Sequence, residues 1–188
     1  MESFAKSAYA AWNGPMRAEW HRLAAIVLLA LGAMFVAAPA RSAPGLTALA
    51  SRTAAPELAL SDVDGKPVKL SELRGRVVVV NFWATWCPPC RKELPSLGRL
   101  QKLFKPEQLR VLAVNIGEDE ETVFSFLPDP PFTILLDQKS TSLRTWQVKG
   151  LPSTFVVDRE GGIVLRAVGG REFDDAATVA RLRELLQD

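Results

Sequence analysis

The chain has 188 residues, 48% of them hydrophobic and 23% charged, with a formal net charge of +2. That composition excludes a wholly disordered polymer, and the length fits one domain plus a short extra piece. Beyond residue 40 the basic and acidic side chains number 20 and 19 and are scattered. The clustered basic face that nucleic-acid binding requires is missing, so no nucleic-acid partner is expected.

Residues 23–40 (LAAIVLLALGAMFVAAPA) carry no charge and follow Arg17 and Arg22. A spanning helix takes about 20 apolar residues, and a signal-peptide core roughly 7–15. Residues 1–40 therefore read as a signal peptide or a signal anchor, a better fit to these flanks than a buried core helix. Ala38-Pro39-Ala40 matches a small-x-small cleavage pattern, which favours a cut after Ala40. The long polar lead-in favours an uncleaved anchor, and a start at Met16 would shorten it to an ordinary signal-peptide length. In either case the positive flank stays in the cytoplasm and the rest is exported. The expected location is periplasmic, tethered to the inner membrane by residues 23–40 or soluble if cut. Residues 41–55 are small and Pro/Gly-containing and read as a linker to a domain over 56–188.

Within that domain, Glu57–Leu60 and Pro67–Leu70 flank Asp64-Gly65, a hairpin signal. Ser71 is expected to cap a helical turn closed by Gly75. Arg76–Phe82 is a continuous β-branched run, as in a central strand buried on both faces. Arg91–Phe104 has helical spacing through Leu94, Leu97, Leu100 and Leu103, with a kink expected at Pro95. Arg110–Ile116 reads as a second buried strand, and Glu118–Leu127 as a helix with acids at its start. A third strand over Phe132–Leu136 and a short helix over Ser140–Gln147 follow. Ser153–Val157 and Ile163–Val168 form a hairpin around Asp158–Gly162, and Phe173–Leu186 closes the chain as a helix. This order predicts an α/β sandwich with a mixed central sheet flanked by helices.

The two cysteines, Cys87 and Cys90, lie in one C-x-x-C between a buried strand and a helix, the setting a thioredoxin-like redox motif requires. At the helix start, the Cys87 sulfur meets unpaired amides and the positive end of the dipole, which favours thiolate. Cys90 lies about one turn on, within disulfide reach. Pro88 and Pro89 suit the first turn, where a missing N–H costs little, and with Trp86 they are expected to meet the substrate. Trp86 and Trp83 offer an apolar rim to a polypeptide substrate. A purely structural disulfide is the bland alternative, but so short a loop would restrain the unfolded chain very little. Two thiols cannot complete a four-ligand zinc site within one chain, and the single histidine, His21, lies in the N-terminal segment, so neither metal nor cofactor is expected.

The segment FWATWCPPCRKELP is similar to the active-site segment of the TlpA/ResA group of thioredoxin-like proteins, which includes the cytochrome c maturation thioredoxin CcmG/DsbE. The likeness extends over residues 55–188 and takes in the leading hairpin and a helical insert near 118–128. It implies a thioredoxin-like fold with both features. It also implies that Cys87 is the nucleophile and Cys90 the resolving thiol. Pro152, in Gly150-Leu-Pro-Ser-Thr-Phe155, corresponds to the family's cis-proline, which leaves the Leu151 backbone to pair with an extended substrate. Glu93 falls where the group keeps an acid that can take the Cys90 proton, against the alternative of a solvated helix charge. Asn81 departs from thioredoxins proper, which place a buried Asp there; it cannot act as a base.

The resemblance thus implies an enzyme that reduces disulfides in exported proteins, with apocytochrome c among the candidate substrates. A membrane electron donor of the DsbD/CcdA kind would recharge it. A disulfide-donating oxidant of the same fold is the alternative, because residue types alone do not fix the direction of electron flow. A copper(I) carrier using both thiolates is a weaker one, since the domain has no histidine. A peroxidase is disfavoured: Val80 and Ala84 stand where peroxiredoxins keep Pro and Thr.

Overall fold

The computed structural model describes residues 45–187; the expected signal or anchor segment, residues 1–40, lies outside the described residues. Eight strands are β1 (Thr47–Ala54), β2 (Ala59–Asp62), β3 (Pro67–Lys69), β4 (Val77–Trp83), β5 (Leu109–Ile116), β6 (Thr133–Asp137), β7 (Ser153–Val157) and β8 (Gly162–Val168). The helices are α1 (Pro88–Lys102), α2 (Glu120–Phe126), α3 (Thr141–Thr145) and α4 (Ala176–Glu184), with a 3-10 turn over Leu70–Leu73. The strands form one sheet in the order β1-β8-β7-β4-β5-β6-β2-β3. β4 runs parallel to β5 and antiparallel to β7, so the sheet is mixed as expected.

β4 is buried along its whole length, and its two faces feed two cores. Val77, Val79 and Trp83 pack with Leu94, Leu97 and Leu100 of α1 and with Val179 and Leu182 of α4. Val78, Val80 and Phe82 point the other way, to Leu112, Val114, Trp146 and Phe155. Phe82, Trp146 and Phe155 meet there at centroid distances of 5.2–5.8 Å, each pair adding about 0.5–1.5 kcal/mol beyond its burial. Every β-branched residue of the run has a side of the sheet to fill, which is why the sequence reads as apolar apart from Asn81.

Four expectations are corrected. Residues 47–54, read as part of a linker, form β1, an edge strand antiparallel to β8. Its composition hides this because seven of its eight residues are exposed, so no apolar alternation marks it. Arg52 pins it through an ion pair with Asp158 at 2.6 Å and a second with Glu160. Ser71 lies inside the 3-10 turn rather than capping it; Lys69 precedes that turn without a side-chain cap. The helix expected from Arg91 begins at Pro88, and Pro95 sits inside a continuous α1. The last helix starts at Ala176, not Phe173, because Asp175 caps it by accepting from the N–H groups of Ala177 and Thr178.

Candidate active site

The site lies where the C-terminal end of β4 hands over to α1. Cys87 is the N-cap of α1, extended at φ −95° and ψ 102°, with Pro88 and Pro89 filling the first turn. Its sulfur accepts the Cys90 N–H at 3.3 Å. No acidic side chain occupies the first turn of α1, so no carboxylate of that turn offsets the positive end of the helix beside that sulfur. Cys87 and Cys90 form a disulfide with their Cα atoms 5.3 Å apart. Cys87 retains a small exposure of 4%, whereas Cys90 is fully enclosed. The asymmetry follows from helix geometry: the cap residue stands at the rim and the residue one turn on faces the core.

Trp86 is 65% exposed beside the disulfide, and Pro88 and Pro89 are exposed with it. Trp83 is wholly buried and meets Phe126 of α2 at a tilt, ring centroids 6.0 Å apart, so the rim predicted from two tryptophans rests on Trp86 alone. The Leu151–Pro152 peptide is cis, with Leu151 half-buried and Pro152 buried. The Pro152 carbonyl accepts from Gly169 N–H at 2.9 Å, which ties the loop before β7 to the loop after β8.

Glu93 is buried on the same face of α1 as Cys90, with only 1% exposure. Its Oε1 accepts from Asn81 Nδ2 at 2.7 Å, and its Oε2 from the Arg171 backbone N–H at 3.2 Å. Removal from water pushes its carboxyl up to about 7; the donors Asn81 and Arg171 offset part of that rise. Asn81 also donates to Thr154 Oγ1 at 2.9 Å, its register partner on β7. The Gly170–Arg171 segment lies so close to the start of α1 that a Cβ on Gly170 would come within 3.0 Å of the Pro89 carbonyl. The loop after β8 therefore forms one wall of the Glu93 chamber.

Two contributors escaped the reading of the sequence. Asn81 appears there only as a missing base, yet alternation along β4 places it between Val79 and Trp83 on the α1 face, a signal that was legible. Glu118 had no such signal. Its carboxylate accepts from the Thr85 backbone N–H at 2.8 Å, the Thr85 hydroxyl and Asn115 Nδ2 at 2.6 Å, and so anchors the loop leading into Cys87. It lies 33 residues from Thr85, and only the parallel pairing of β4 with β5 brings them together.

A family model described as the AhpC/TSA family matches residues 52–166. The chain is 36% identical over 127 residues to the thiol-disulfide oxidoreductase ResA of Bacillus subtilis (strain 168), covering 66% of this chain and 71% of that protein. It is 35% identical over 140 residues to the ResA of Geobacillus thermodenitrificans, covering 73% and 80%. Among solved structures it is similar to one from Chlorobium tepidum assigned as a thiol:disulfide interchange protein DsbE. That match has a TM-score of 0.66 and 35% identity over 76% of this chain and 99% of that one.

Proposed function

The chain belongs to the AhpC/TSA family and is a thiol–disulfide oxidoreductase, and from that premise we propose that it works as a reductase of disulfides in exported proteins. The observation that carries this reading is Cys87 capping α1, its sulfur against the Cys90 amide at a helix start free of acids. In the reduced state the Cys87 thiolate attacks one sulfur of a substrate disulfide. The other substrate sulfur leaves as a thiolate, and a mixed disulfide remains on Cys87. Cys90 then loses its proton to Glu93, the buried carboxylate on its own face of the helix, and attacks the Cys87 sulfur. The second substrate thiolate departs, and two electrons have passed from the enzyme dithiol to the substrate.

Trp86, Leu151 and Pro152 form the surface an extended substrate would meet, with the Leu151 backbone offering strand-like pairing. Recharging requires an external dithiol donor, and a membrane carrier of the DsbD/CcdA kind fits an enzyme exported by residues 1–40. If that segment remains as an anchor, it holds enzyme and carrier in one plane at high effective concentration. Apocytochrome c, with its paired cysteines, is a substrate of the right chemistry.

Trapping tests the proposal. A Cys90→Ser chain expressed in cells should accumulate mixed disulfides through Cys87 with exported proteins, and the wild-type pair should show a strongly reducing potential. A strongly oxidising potential would reverse the direction of electron flow and make the enzyme a disulfide donor.

A further inference from the structure

Asn81 is fully buried, yet among the described residues its Oδ1 has no hydrogen-bond partner while its Nδ2 serves both Glu93 and Thr154. Buried amide oxygens are rarely left orphaned, and an unpaired one calls for an explanation. The carboxamide has two faces of nearly equal shape, and turning it by half a revolution exchanges Oδ1 and Nδ2. The Thr154 hydroxyl accepts from Nδ2 in the observed arrangement and can donate to Oδ1 in the turned one. Each orientation leaves one end of the amide unpaired, Oδ1 in the observed one and Nδ2 in the turned one. The protonation state of Glu93 then decides between them.

We propose that Asn81 is a positioning residue that keeps Glu93 hydrogen-bonded in both of its protonation states by turning its carboxamide. With Glu93 ionised, Nδ2 donates to Oε1. Once Glu93 takes a proton, Oδ1 turns in and accepts it. A buried carboxyl that must gain and lose a proton in each cycle thereby finds a donor for Oε1 when ionised and an acceptor for its O–H when protonated, and a fixed N–H could not supply the second. Arg171, Glu172 and Cys90 are the charged or titratable groups set beside Glu93 among the described residues. Arg171 holds Oε2 through its backbone and sends its guanidinium to Asp175 and Thr178. Glu172 follows it, and Cys90 shares the buried face of α1. Neither the Arg171 amide nor Glu172 can exchange donor for acceptor as the Asn81 carboxamide does.

The inference rests on the reading of Glu93 as the proton acceptor for Cys90, and the test separates the two. Neutron diffraction on deuterium-exchanged crystals of the full chain distinguishes the amide nitrogen, with its two deuterons, from the oxygen. At a pH well above the Glu93 midpoint Nδ2 should face Glu93, and well below it Oδ1 should. One orientation at both pH values overturns the proposal, whatever the kinetics of Glu93→Gln say about the role of Glu93. In solution, Asn81→Leu should lower kcat about tenfold with KM little changed, a fraction of the roughly 10²–10⁴ that acid–base catalysis supplies. A change confined to KM would likewise count against it.

Discussion

Two carboxylates flank the disulfide, and each is held by an asparagine from a neighbouring parallel strand: Glu93 by Asn81 of β4, Glu118 by Asn115 of β5. Glu118 is half-buried and receives three donors, two of them from Thr85. Glu93 is almost wholly buried and receives two. A well-supplied carboxylate near water is a fastener, because its charge is already compensated. One stripped of water and thinly supplied is poised to take a proton, as the rise of its carboxyl to about 7 indicates. The same pair of residue types thus gives an anchor where water reaches it and a candidate proton acceptor where burial is nearly complete.

The comparison breaks first at the attacking sulfur, without which neither carboxylate matters. Cys87→Ser should abolish reduction of a model disulfide substrate in an insulin-type assay, since no other thiol is placed to attack. Next, Glu93→Gln should slow release of the mixed disulfide by about 10²-fold in stopped-flow traces, and the pH dependence near 7 should vanish with it. The matching Glu118→Gln should cost less than tenfold on that step; an equal loss would erase the distinction between anchor and acid.

Stability offers a second contrast. The Glu93 carboxyl lies higher in the folded chain than its ordinary value of 4.5, so folding favours the protonated form. Its contribution is fully present below about 4.5 and is lost as pH rises through about 7, in total about 3 kcal/mol. Urea titrations of the oxidised protein should show that decline, and Glu93→Gln should flatten it. Glu118→Ala should cost less, about 1–2 kcal/mol, and speed hydrogen exchange at the Thr85 amide, which loses its acceptor. The smallest effect is expected at the rim, where Trp86→Ala should raise KM a few-fold with kcat unchanged, measurable with a peptide disulfide.

Much of this architecture was legible in advance because it depends on short-range signals. The β-branched run of β4, the cap-and-proline start of α1 and the hairpin around Asp158–Gly162 each carry their own local pattern. The edge strand β1 did not: an exposed strand buries too little to impose alternation, and its pairing with β8 rests on Arg52 reaching Asp158 and Glu160. The start of α4 was misplaced because Phe173 packs into the core like a helical residue while Asp175 sets the cap.

The sequence by itself determined the fold class, the redox pair and the polarity of the helix that carries it, since these follow from residues adjacent along the chain. Which carboxylate is dry and which is wet, and which asparagine each one meets, was decided only by the tertiary structure. Burial and hydrogen-bond supply are properties of neighbours brought together across strands, and no local pattern records them.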